Sequence, residues 1–375
     1  MFLRCTHSLF RYRTFAIMLG VLHLYPVRGN FQTQRSLELL LKNLGPRIPM
    51  TARSVGAGGH YQNLVEAAFR LRCARHDQSH IAHTWGPAEL LAAAAAGFSD
   101  IIFSPQGPIP PQWWKWIELV LRNHTVEIVC QSRFMKNLFV SHGAEIDRCY
   151  VIPPAVDVSR LNDPDPELRA RLGLATTDLV LLAPGESFRE SAHRSAIWAT
   201  AIMNVLDSRF RVLIWGRGPM LDSLDRFARA IEFNRTFVNT EKVLGTSIDS
   251  EQLVSVADMA IFFGQAGTPI LPLAVCLSAG LPVVASASVE TPEFLQDGIN
   301  ALVEPSVNPR NVAQRVLELQ DDPPLLHKLA EAARASAIRQ FALSHFVADW
   351  RTIYSRIVDF DSAATTDLPV SAQGC

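Results

Sequence analysis

The chain has 375 residues, of which 48% are hydrophobic and 19% charged, and its formal net charge is -1. This length suits two domains with sizeable cores, and the lack of a basic excess argues against nucleic acid as a partner. The six cysteines are scattered without a Cys-x-x-Cys pair, which argues against a zinc site or a disulfide framework and suits a reducing compartment.

Apolar runs of strand length alternate with helical patterns along the first half. The arginine-rich start imitates a signal peptide but lacks a small-residue cleavage site, so residues 1–14 are expected to be a disordered leader before a core strand at about 16–24. Further strands are predicted near 48–54 and at HIAHTWG, DIIFSPQG, EIVCQS and CYVIPP. Helices are predicted at about 32–43, at about 61–74, and at AELLAAAAAG and RFMKNLFVSHG.

A polar, proline-containing segment at 156–177 is interpreted as a linker with one short helix. After it the alternation resumes, with strands predicted at LVLLAPG, FRVLIWGRGP, FVNTEKVLG and DMAIFFG. Helices are predicted at 192–206, MLDSLDRFARAI, EQLVSVA, 310–320, 323–340 and about 346–358. Residues 361–375 are small and polar and are expected to form a disordered tail.

The stretch GQAGTPILPLAVCLSAGLPVV, residues 264–284, carries no charge at all. A membrane span of that length is disfavoured because Pro269, Pro272 and Pro282 interrupt it. The pattern favours a loop, a short buried helix at about 270–279 and a buried strand at 282–285. The stretch is therefore interpreted as part of a core that borders a ligand site.

Repeated strand–helix alternation predicts an α/β fold with parallel sheets covered on both faces. Two such blocks predict two Rossmann-like, doubly wound domains that face a central cleft. We expect these domains at 15–155 and 178–340, with the linker at 156–177 between them and a C-terminal helix at 341–360 packing back across both. Ligands of such sheets bind beyond the carboxyl ends of the strands, which directs attention to the loops there.

Several segments resemble the GT-B glycosyltransferases, specifically the large retaining family 4. They are VIPPAVDVSRL, VLIWGRGPMLDSLDRFA, EIVCQSRFMKNLFVSHG and the block that runs from ADMAIFF through AGLPVV to PEFLQDGINALV. The similarity covers about residues 17–345. It implies a nucleotide-sugar donor (a UDP-, GDP- or ADP-sugar) in the C-terminal domain, a glycan, lipid-linked or small-molecule hydroxyl acceptor in the N-terminal domain, and no essential metal or other cofactor.

The chain departs from the family pattern at the donor site. Alignment on AGLPVV places the two glutamates of the family at Gly267 and Val275, whose side chains cannot accept hydrogen bonds. The Arg and Lys of the family fall on Glu186 and Ser191, with Arg189 as a nearby substitute.

A further departure concerns the N-terminal domain. Its family histidine falls on Gln106, which cannot titrate near neutral pH. The catalytic residues therefore stay unassigned. Arg194 is a second substitute for the lost donor-site cation, Thr268 is a candidate N-cap, and Glu293 is interpreted as a helix cap rather than a donor contact.

The resemblance places the remaining candidates in two groups. The expected donor site contains Gly185, Glu186, Ser187, Arg189, Ser191, Gly216, Val243, Leu244, Gly267, Thr268, Pro269, Ile270, Leu271 and Val275. The expected acceptor site contains Gly29, Asn30, Gly59, His60, Trp85 and Gln106. Backbone N–H groups near Gly185 and Gly267 are expected to hold the diphosphate, because such groups stabilise anions at helix starts.

Three functions follow from this pattern. The first is a cytoplasmic glycosyltransferase, retaining in mechanism, with an atypical donor site. The second is a catalytically inactive GT-B protein that acts as a binding or partner subunit, which the joint loss of the donor-site side chains favours. The third, a nucleotide-sugar epimerase, lacks a convincing set of carboxylates. The WWKW run at 113–116 is interpreted as an acceptor-side rim or, alternatively, as a peripheral contact with the inner face of the membrane.

Overall fold

The computed structural model describes residues 20–26, 30–55, 68, 71, 79–161, 163–233, 235–245 and 248–357. Within these ranges the strands of the first half are β1 (Gly20–Pro26), β2 (Met50–Val55), β3 (Ser79–Thr84), β4 (Asp100–Phe103), β5 (Val126–Cys130) and β6 (Cys149–Val151). Those of the second half are β7 (Leu179–Ala183), β8 (Phe210–Ile214), β9 (Phe237–Asn239), β10 (Met259–Phe262), β11 (Val283–Ser286) and β12 (Leu302–Glu304). All the pairings between them are parallel, and they form two sheets, in the orders β2-β1-β3-β4-β5-β6 and β12-β11-β10-β7-β8-β9.

Helices connect and cover the strands in both halves. In the first half they are α1 (Phe31–Asn43), α2 (Pro87–Ala96), α3 (Pro111–Asn123) and α4 (Arg133–Ser141), and α5 (Pro166–Arg171) follows in the connecting segment. The second half has α6 (His193–Leu206), α7 (Leu221–Ala230), α8 (Thr240–Leu244), α9 (Ser250–Leu253), α10 (Leu271–Ser278), α11 (Thr291–Phe294), α12 (Pro309–Gln320), α13 (Pro323–Gln340) and α14 (Leu343–Ile357). Short 3-10 helices occupy Ile146–Arg148, Val158–Arg160 and Val254–Val256.

Each sheet is buried between two layers of apolar side chains, which explains why its strands are almost continuously hydrophobic. In β7, for example, alternate residues enter different cores: Val180 and Leu182 pack with α10, whereas Leu181 and Ala183 pack with α6. Parallel sheets require such double cover, because their crossover connections place helices on both faces. The predicted α/β fold with two doubly wound sheets is therefore confirmed.

The last helix, α14, returns to the first half of the chain. Its buried face joins the core beneath β1, β3 and α1, through Phe346, Trp350, Ile353 and Tyr354. There the Tyr354 hydroxyl lies 2.8 Å from Nδ1 of His83, and the Trp350 ring lies 4.8 Å from the His83 ring, centroid to centroid. Helix α14 is thus part of the core that the first sheet uses.

The uncharged stretch at 264–284 forms a loop, the buried helix α10 and strand β11. Every residue of α10 is buried, which accounts for the lack of charge. None of the helices in the described part of the chain has the length and apolar character that crossing a membrane requires.

Some elements differ from the sequence-based expectations. FVNTEKVLG is a strand only as far as Asn239, because the side chain of Asn239 accepts the N–H of Lys242 and so caps α8. The WWKW run lies in α3, which begins at Pro111, and strand β12 was not predicted. The leader at 1–14, the tail at 361–375 and most of the helix expected at about 61–74 lie outside the described residues.

Candidate functional site

Segments from both halves meet where the carboxyl ends of the two sheets face each other. The first half contributes the start of α1 and the loops after β4 and β5, and the second contributes the loops after β7 and β10 and the segment after β11. Open parallel sheets bind ligands beyond the carboxyl ends of their strands. This region, called the interdomain cleft below, is therefore the candidate active site.

The start of α10 and the loop before it direct three backbone N–H groups towards the cleft, two from Ile270 and Leu271 at the helix start and one from Gly267 in the loop. Their acceptors are Glu290 Oε2 for Gly267 (2.7 Å), Gln131 Oε1 for Ile270 (3.3 Å) and Gln32 Oε1 for Leu271 (2.8 Å). The first N–H groups of a helix have no partner within the helix, so they bind side chains, water or ligands. Here the acceptors are side chains, and two of the three acceptors, Gln131 and Gln32, belong to the first half of the chain.

Three glutamines fill the space between the halves. Gln32 Nε2 donates to Gln106 Oε1 (2.6 Å) and to Gln131 Oε1 (2.8 Å). Gln131 Nε2 in turn donates to the carbonyl of Thr268 (2.9 Å). All three side chains are buried, and their amide groups bond to one another, to the backbone around α10 and, from Gln106 Nε2, to Ser104 Oγ (3.3 Å). We call Gln32, Gln106 and Gln131 the glutamine cluster.

Conversely, carboxylates of the second half accept N–H groups at the starts of helices in the first half. Glu186 Oε2 accepts the N–H of Phe31 at the start of α1 (3.0 Å). The Glu293 carboxylate accepts the N–H groups of Arg133 (2.7 Å) and Phe134 (2.9 Å) at the start of α4. Negative charge is favourable at helix N-termini. Glu293 therefore acts as a helix cap, as expected, but for a helix in the other half of the chain.

Glu290 links the α10 loop to the first half, since Ser132 Oγ donates to one carboxylate oxygen and the N–H of Gly267 to the other. Burial raises the pKa of Glu290, although these two hydrogen bonds oppose the shift. Burial likewise raises the pKa of Glu186, against the effect of the Phe31 N–H and Arg217. Both carboxyls are thus held away from water by the contact between the halves.

The loop after β7 is fixed by short contacts within the second half. Gly185 has a φ of +89°, and a side chain there would meet Pro272, the second residue of α10. The Ser187 N–H donates to the Arg217 carbonyl (2.7 Å). Ser191 Oγ donates to the carbonyl of Glu186 (2.7 Å), so the family position of the lysine serves here to shape the loop.

The two arginines considered as replacements for the lost cation differ in their surroundings. The guanidinium of Arg194 lies over the Phe227 ring, 4.3 Å from its centroid, on the outer side of α6. Arg189 is exposed at the loop itself. Of the two, Arg189 is the one that lies exposed on the loop after β7.

The remaining donor-site candidates lie around the cleft or beneath it. Val275 lies on α10 and is buried in the hydrophobic core. The Thr268 hydroxyl donates to the carbonyl of Glu190 (3.0 Å) and does not cap α10, contrary to the sequence-based suggestion. Val243 and Leu244 lie in α8, where Val243 is 48% exposed. Pro269 lies between Thr268 and Ile270, whose backbone groups both bond to Gln131, and beside Gly107 of the first half.

Two acceptor-site candidates, the half-buried Asn30 and the buried Trp85, make structural contacts. The Asn30 side chain caps α1 by accepting the Thr33 N–H (2.8 Å) and donates to the Gln106 carbonyl (2.7 Å). Trp85 is buried, with its ring stacked on His83 at 4.3 Å. Gly29, Gly59 and His60 lie outside the described residues.

The residues that sequence reasoning missed are Gln32, Gln131, Ser132, Glu290 and the ion pair Arg35–Glu251. Two of them could have been predicted from the sequence. Gln131 and Ser132 directly follow β5, which places them at the carboxyl edge of a parallel sheet, where ligands bind. Among the described side chains, no group of three or more His, Cys, Asp or Glu residues is arranged to hold a metal ion.

Comparison with known proteins gives consistent matches. Residues 180–322 match the family described as Glycosyl transferases group 1. The chain is 23% identical over 195 residues to the putative glycosyltransferase EpsD of Bacillus subtilis, and this alignment covers 52% of this chain and 50% of EpsD. It is 26% identical over 317 residues to a GDP-mannose-dependent alpha-(1-6)-phosphatidylinositol monomannoside mannosyltransferase of Mycobacterium tuberculosis, with 79% of each chain covered. The chain thus spans about half the length of EpsD and most of the mycobacterial protein.

Solved structures share the fold at low sequence identity. HepE of Anabaena, determined in complex with UDP and glucose, superposes with a TM-score of 0.73 at 14% identity, covering 90% of this chain and 99% of HepE. Sucrose-phosphate synthase of Thermosynechococcus elongatus gives 0.74 at 12% identity, with 91% and 99% covered. The two facing parallel sheets and these structural neighbours show the GT-B fold, and the second half of the chain is similar to the group 1 glycosyltransferases.

Proposed function

We propose that this protein transfers a sugar from a nucleoside diphosphate sugar to the hydroxyl of a glycan, a lipid or a small molecule, with retention at the anomeric carbon. In this reaction the bond between the anomeric carbon and the diphosphate oxygen breaks. The acceptor oxygen bonds to the anomeric carbon, and the acceptor proton leaves with the diphosphate. The donor belongs to the domain at 178–340 and the acceptor to the domain at 15–155.

The observation that carries the proposal is the set of N–H groups at the start of α10, which face the cleft from Gly267, Ile270 and Leu271. A leaving diphosphate gains negative charge, and N–H groups at a helix start stabilise such charge without a metal ion. Arg189 adds an exposed cation on the loop after β7, and Gln106 lines the sugar position. Among the relatives, the mycobacterial protein is named for GDP-mannose and a lipid acceptor and HepE was determined with UDP and glucose, which supports these substrate classes.

A second function is favoured by what replaces the donor-site charges. Glu186 occupies the arginine position of the family and binds the start of α1 instead of a phosphate, and Gly267 and Val275 carry no carboxylate. A chain with these features could keep the fold and act as a non-catalytic binding or partner subunit. Localisation in the cytoplasm, with or without peripheral contact to the membrane through α3, belongs to both proposals.

Isothermal titration calorimetry of the purified protein with UDP, GDP and ADP, and then with their sugar conjugates, separates the two functions. We expect micromolar binding of one nucleotide and a several-fold loss of affinity in Arg189→Ala, because an exposed charge contact is worth about 1 kcal/mol. Arg226→Ala on the exposed face of α7 is the matched control and should bind as the wild type does. Absence of binding to every nucleotide by a folded protein would favour the non-catalytic subunit.

A further inference from the structure

A pocket lies outside the interdomain cleft, at the edge of the first sheet that β6 forms. It has a volume of about 580 Å³ and is lined by residues of α4, β6 and α14. Of its lining residues, Arg133 alone takes part in a hydrogen bond of the cleft, and it does so through its backbone N–H. We propose that the pocket is a second binding site, which takes a soluble phosphomonoester that also carries hydroxyl groups. This inference does not rest on the proposed function, since it uses no residue of the donor site.

Two helix faces form opposite parts of the pocket wall. Helix α4 contributes residues at positions i, i+3 and i+4, and α14 contributes residues at i, i+3, i+4 and i+7. Residues at these intervals share one face of a helix, so each helix turns one side towards the pocket. Strand β6 and the residue after it complete the wall. The polar residues that the helices contribute are Arg133, Lys136 and Asn137 from α4 and Asp349, Thr352 and Arg356 from α14.

The charge of the pocket favours an anion. Arg133, Lys136 and Arg356 supply three positive charges against a single carboxylate among the lining residues. Within the described part of the chain, none of these three cations forms an ion pair. Glu127, on the neighbouring strand β5, is paired with Arg148 instead, at 2.6 Å. Like charges that share a recess without counter-charges raise the local positive potential, which attracts anions.

Two of the cations are held by their surroundings and come from different helices. The Arg356 guanidinium lies over the Tyr150 ring, 5.3 Å from its centroid, which is the geometry of a cation–π contact. Lys136 is half-buried on α4, whose first turn is capped by the side chain of Ser132. Phosphate oxygens form strong, charge-assisted hydrogen bonds with lysine and arginine. A phosphate between these two side chains would therefore bridge α4 and α14.

The volume and the uncharged polar groups indicate what accompanies the phosphate. A phosphate ion alone would fill only part of a pocket whose size lies in the range that binds small organic molecules. Asn137, Thr352 and Asp349 add an amide, a hydroxyl and a carboxylate, all of which can hydrogen-bond to hydroxyl groups. A phosphomonoester with hydroxyl groups uses both the cations and these neighbours.

The apolar part of the lining favours a soluble ligand over a lipid surface. Val151 is half-buried, and Ile152 and Ile353 are buried, so the lining presents no exposed apolar side chain. Binding at a membrane surface gains its strength from apolar side chains that enter the boundary between headgroups and acyl chains. The shared chemistry is the phosphate group, and the two sources of it are separated by experiment.

Isothermal titration calorimetry of the full chain with glucose 6-phosphate, inorganic phosphate and glucose tests the site. We expect glucose 6-phosphate to bind more tightly than inorganic phosphate, and glucose to give no measurable heat. Lys136→Ala/Arg356→Ala should weaken the binding of glucose 6-phosphate roughly tenfold or more, since two charge contacts to the phosphate are lost together. The matched control is Lys328→Ala/Arg339→Ala, which removes the same two charges from exposed positions on α13 and should bind as the wild type does. Circular dichroism checks that each variant is folded, and Lys136→Ala alone keeps the test valid if the double variant is not.

Hydrogen exchange measured by mass spectrometry locates the bound ligand. We expect glucose 6-phosphate to slow the exchange of the α14 amides at 349–357 in the wild type and not in Lys136→Ala/Arg356→Ala. Slower exchange at 267–271 alone would place the phosphate in the interdomain cleft and overturn the inference. Absence of binding by the wild type, equal affinity in the wild type and the pocket variant, or equal affinity for inorganic phosphate would overturn it as well. So would charge-dependent binding to vesicles that contain phosphatidic acid without binding of glucose 6-phosphate. Each of these results leaves the proposed function intact, because that function is tested with nucleotides.

Discussion

The ion pair between Arg35 and Glu251 provides a sharp test of how the two halves are held together. Arg35 lies on α1 and Glu251 on α9, and Nη2 of the arginine lies 2.5 Å from Oε2 of the glutamate. The two side chains are only 7% and 4% exposed. We therefore choose Arg35→Met, which keeps the aliphatic length of the side chain but leaves the Glu251 carboxylate buried without its counter-charge.

The expected magnitude follows from this burial. Removal of one partner of a buried ion pair costs about 3–5 kcal/mol, because the remaining charge is uncompensated. The lower end applies here, since opening of the cleft can return water to Glu251, and we expect the free energy of unfolding to fall by about 3 kcal/mol at neutral pH. Burial raises the pKa of Glu251 even with Arg35 beside it. The folded variant therefore takes up a proton more readily than the unfolded chain, and the loss should shrink as the pH falls towards 5.

Urea unfolding followed by tryptophan fluorescence measures this loss. The control is Arg122→Met, because the Arg122 side chain is 77% exposed and lies 4.0 Å from Glu118. An exposed pair of this kind contributes at most about 0.5 kcal/mol. The double variant Arg35→Met/Glu251→Gln should recover most of the loss, since no charge is then left buried. A loss in Arg35→Met no larger than that of the control would refute the reasoning.

Three further outcomes are expected. Gly218→Ala should lower the free energy of unfolding by at least about 2 kcal/mol, because φ is +116° and a Cβ there would lie 2.5 Å from a backbone nitrogen. The control Gly143→Ala, at φ +93° in open space, should lower it by only about 1 kcal/mol. Equal losses of the two variants in urea titrations would argue against the clash. Burial lowers the pKa of His23 to about 3, so folding favours the neutral ring. The free energy of unfolding should therefore fall by up to about 1.4 kcal/mol per pH unit as the pH drops below about 6.5. His23→Asn should remove this contribution to the pH dependence, and equal pH dependence in the variant and the wild type would contradict the role given to His23. Glu293→Ala should speed hydrogen exchange at the first-turn amides of α4 and cost about 1 kcal/mol, with Glu293→Gln intermediate, whereas unchanged exchange would show that the cap contributes nothing.

Sequence patterns were sufficient for the fold because the sheets are buried on both faces. Each strand then appears as a short apolar run, and some helices end at a glycine, as α2 does at Gly97, whose φ is +80°. Where the run was too short the pattern failed: β12 has three residues, and β9 ends after three because Asn239 begins a helix. Strands as short as β9 and β12 contain too few residues for a hydrophobic period to be recognised.

The candidate site was only partly accessible to the same reasoning. Its position at the strand ends was predicted, as was the lack of carboxylates at Gly267 and Val275. The occupants of the cleft were not, because the contact between Gln32 and Leu271 joins residues that are 239 positions apart, and no periodicity reports such a pair. Resemblance to a family also directs attention to the positions that the family uses, and Gln32 and Gln131 are not among them.

The return of α14 to the first half has a consequence for the synthesis of the protein. A ribosome completes β1 to β6 long before it makes Trp350 and Tyr354, which close the core around His83. Part of one apolar face of the newly made first sheet therefore stays uncovered until α14 has been synthesised, a condition under which nascent chains need chaperones. A truncation that removes α14 would consequently uncover the core of the first sheet, which is made from a distant part of the sequence.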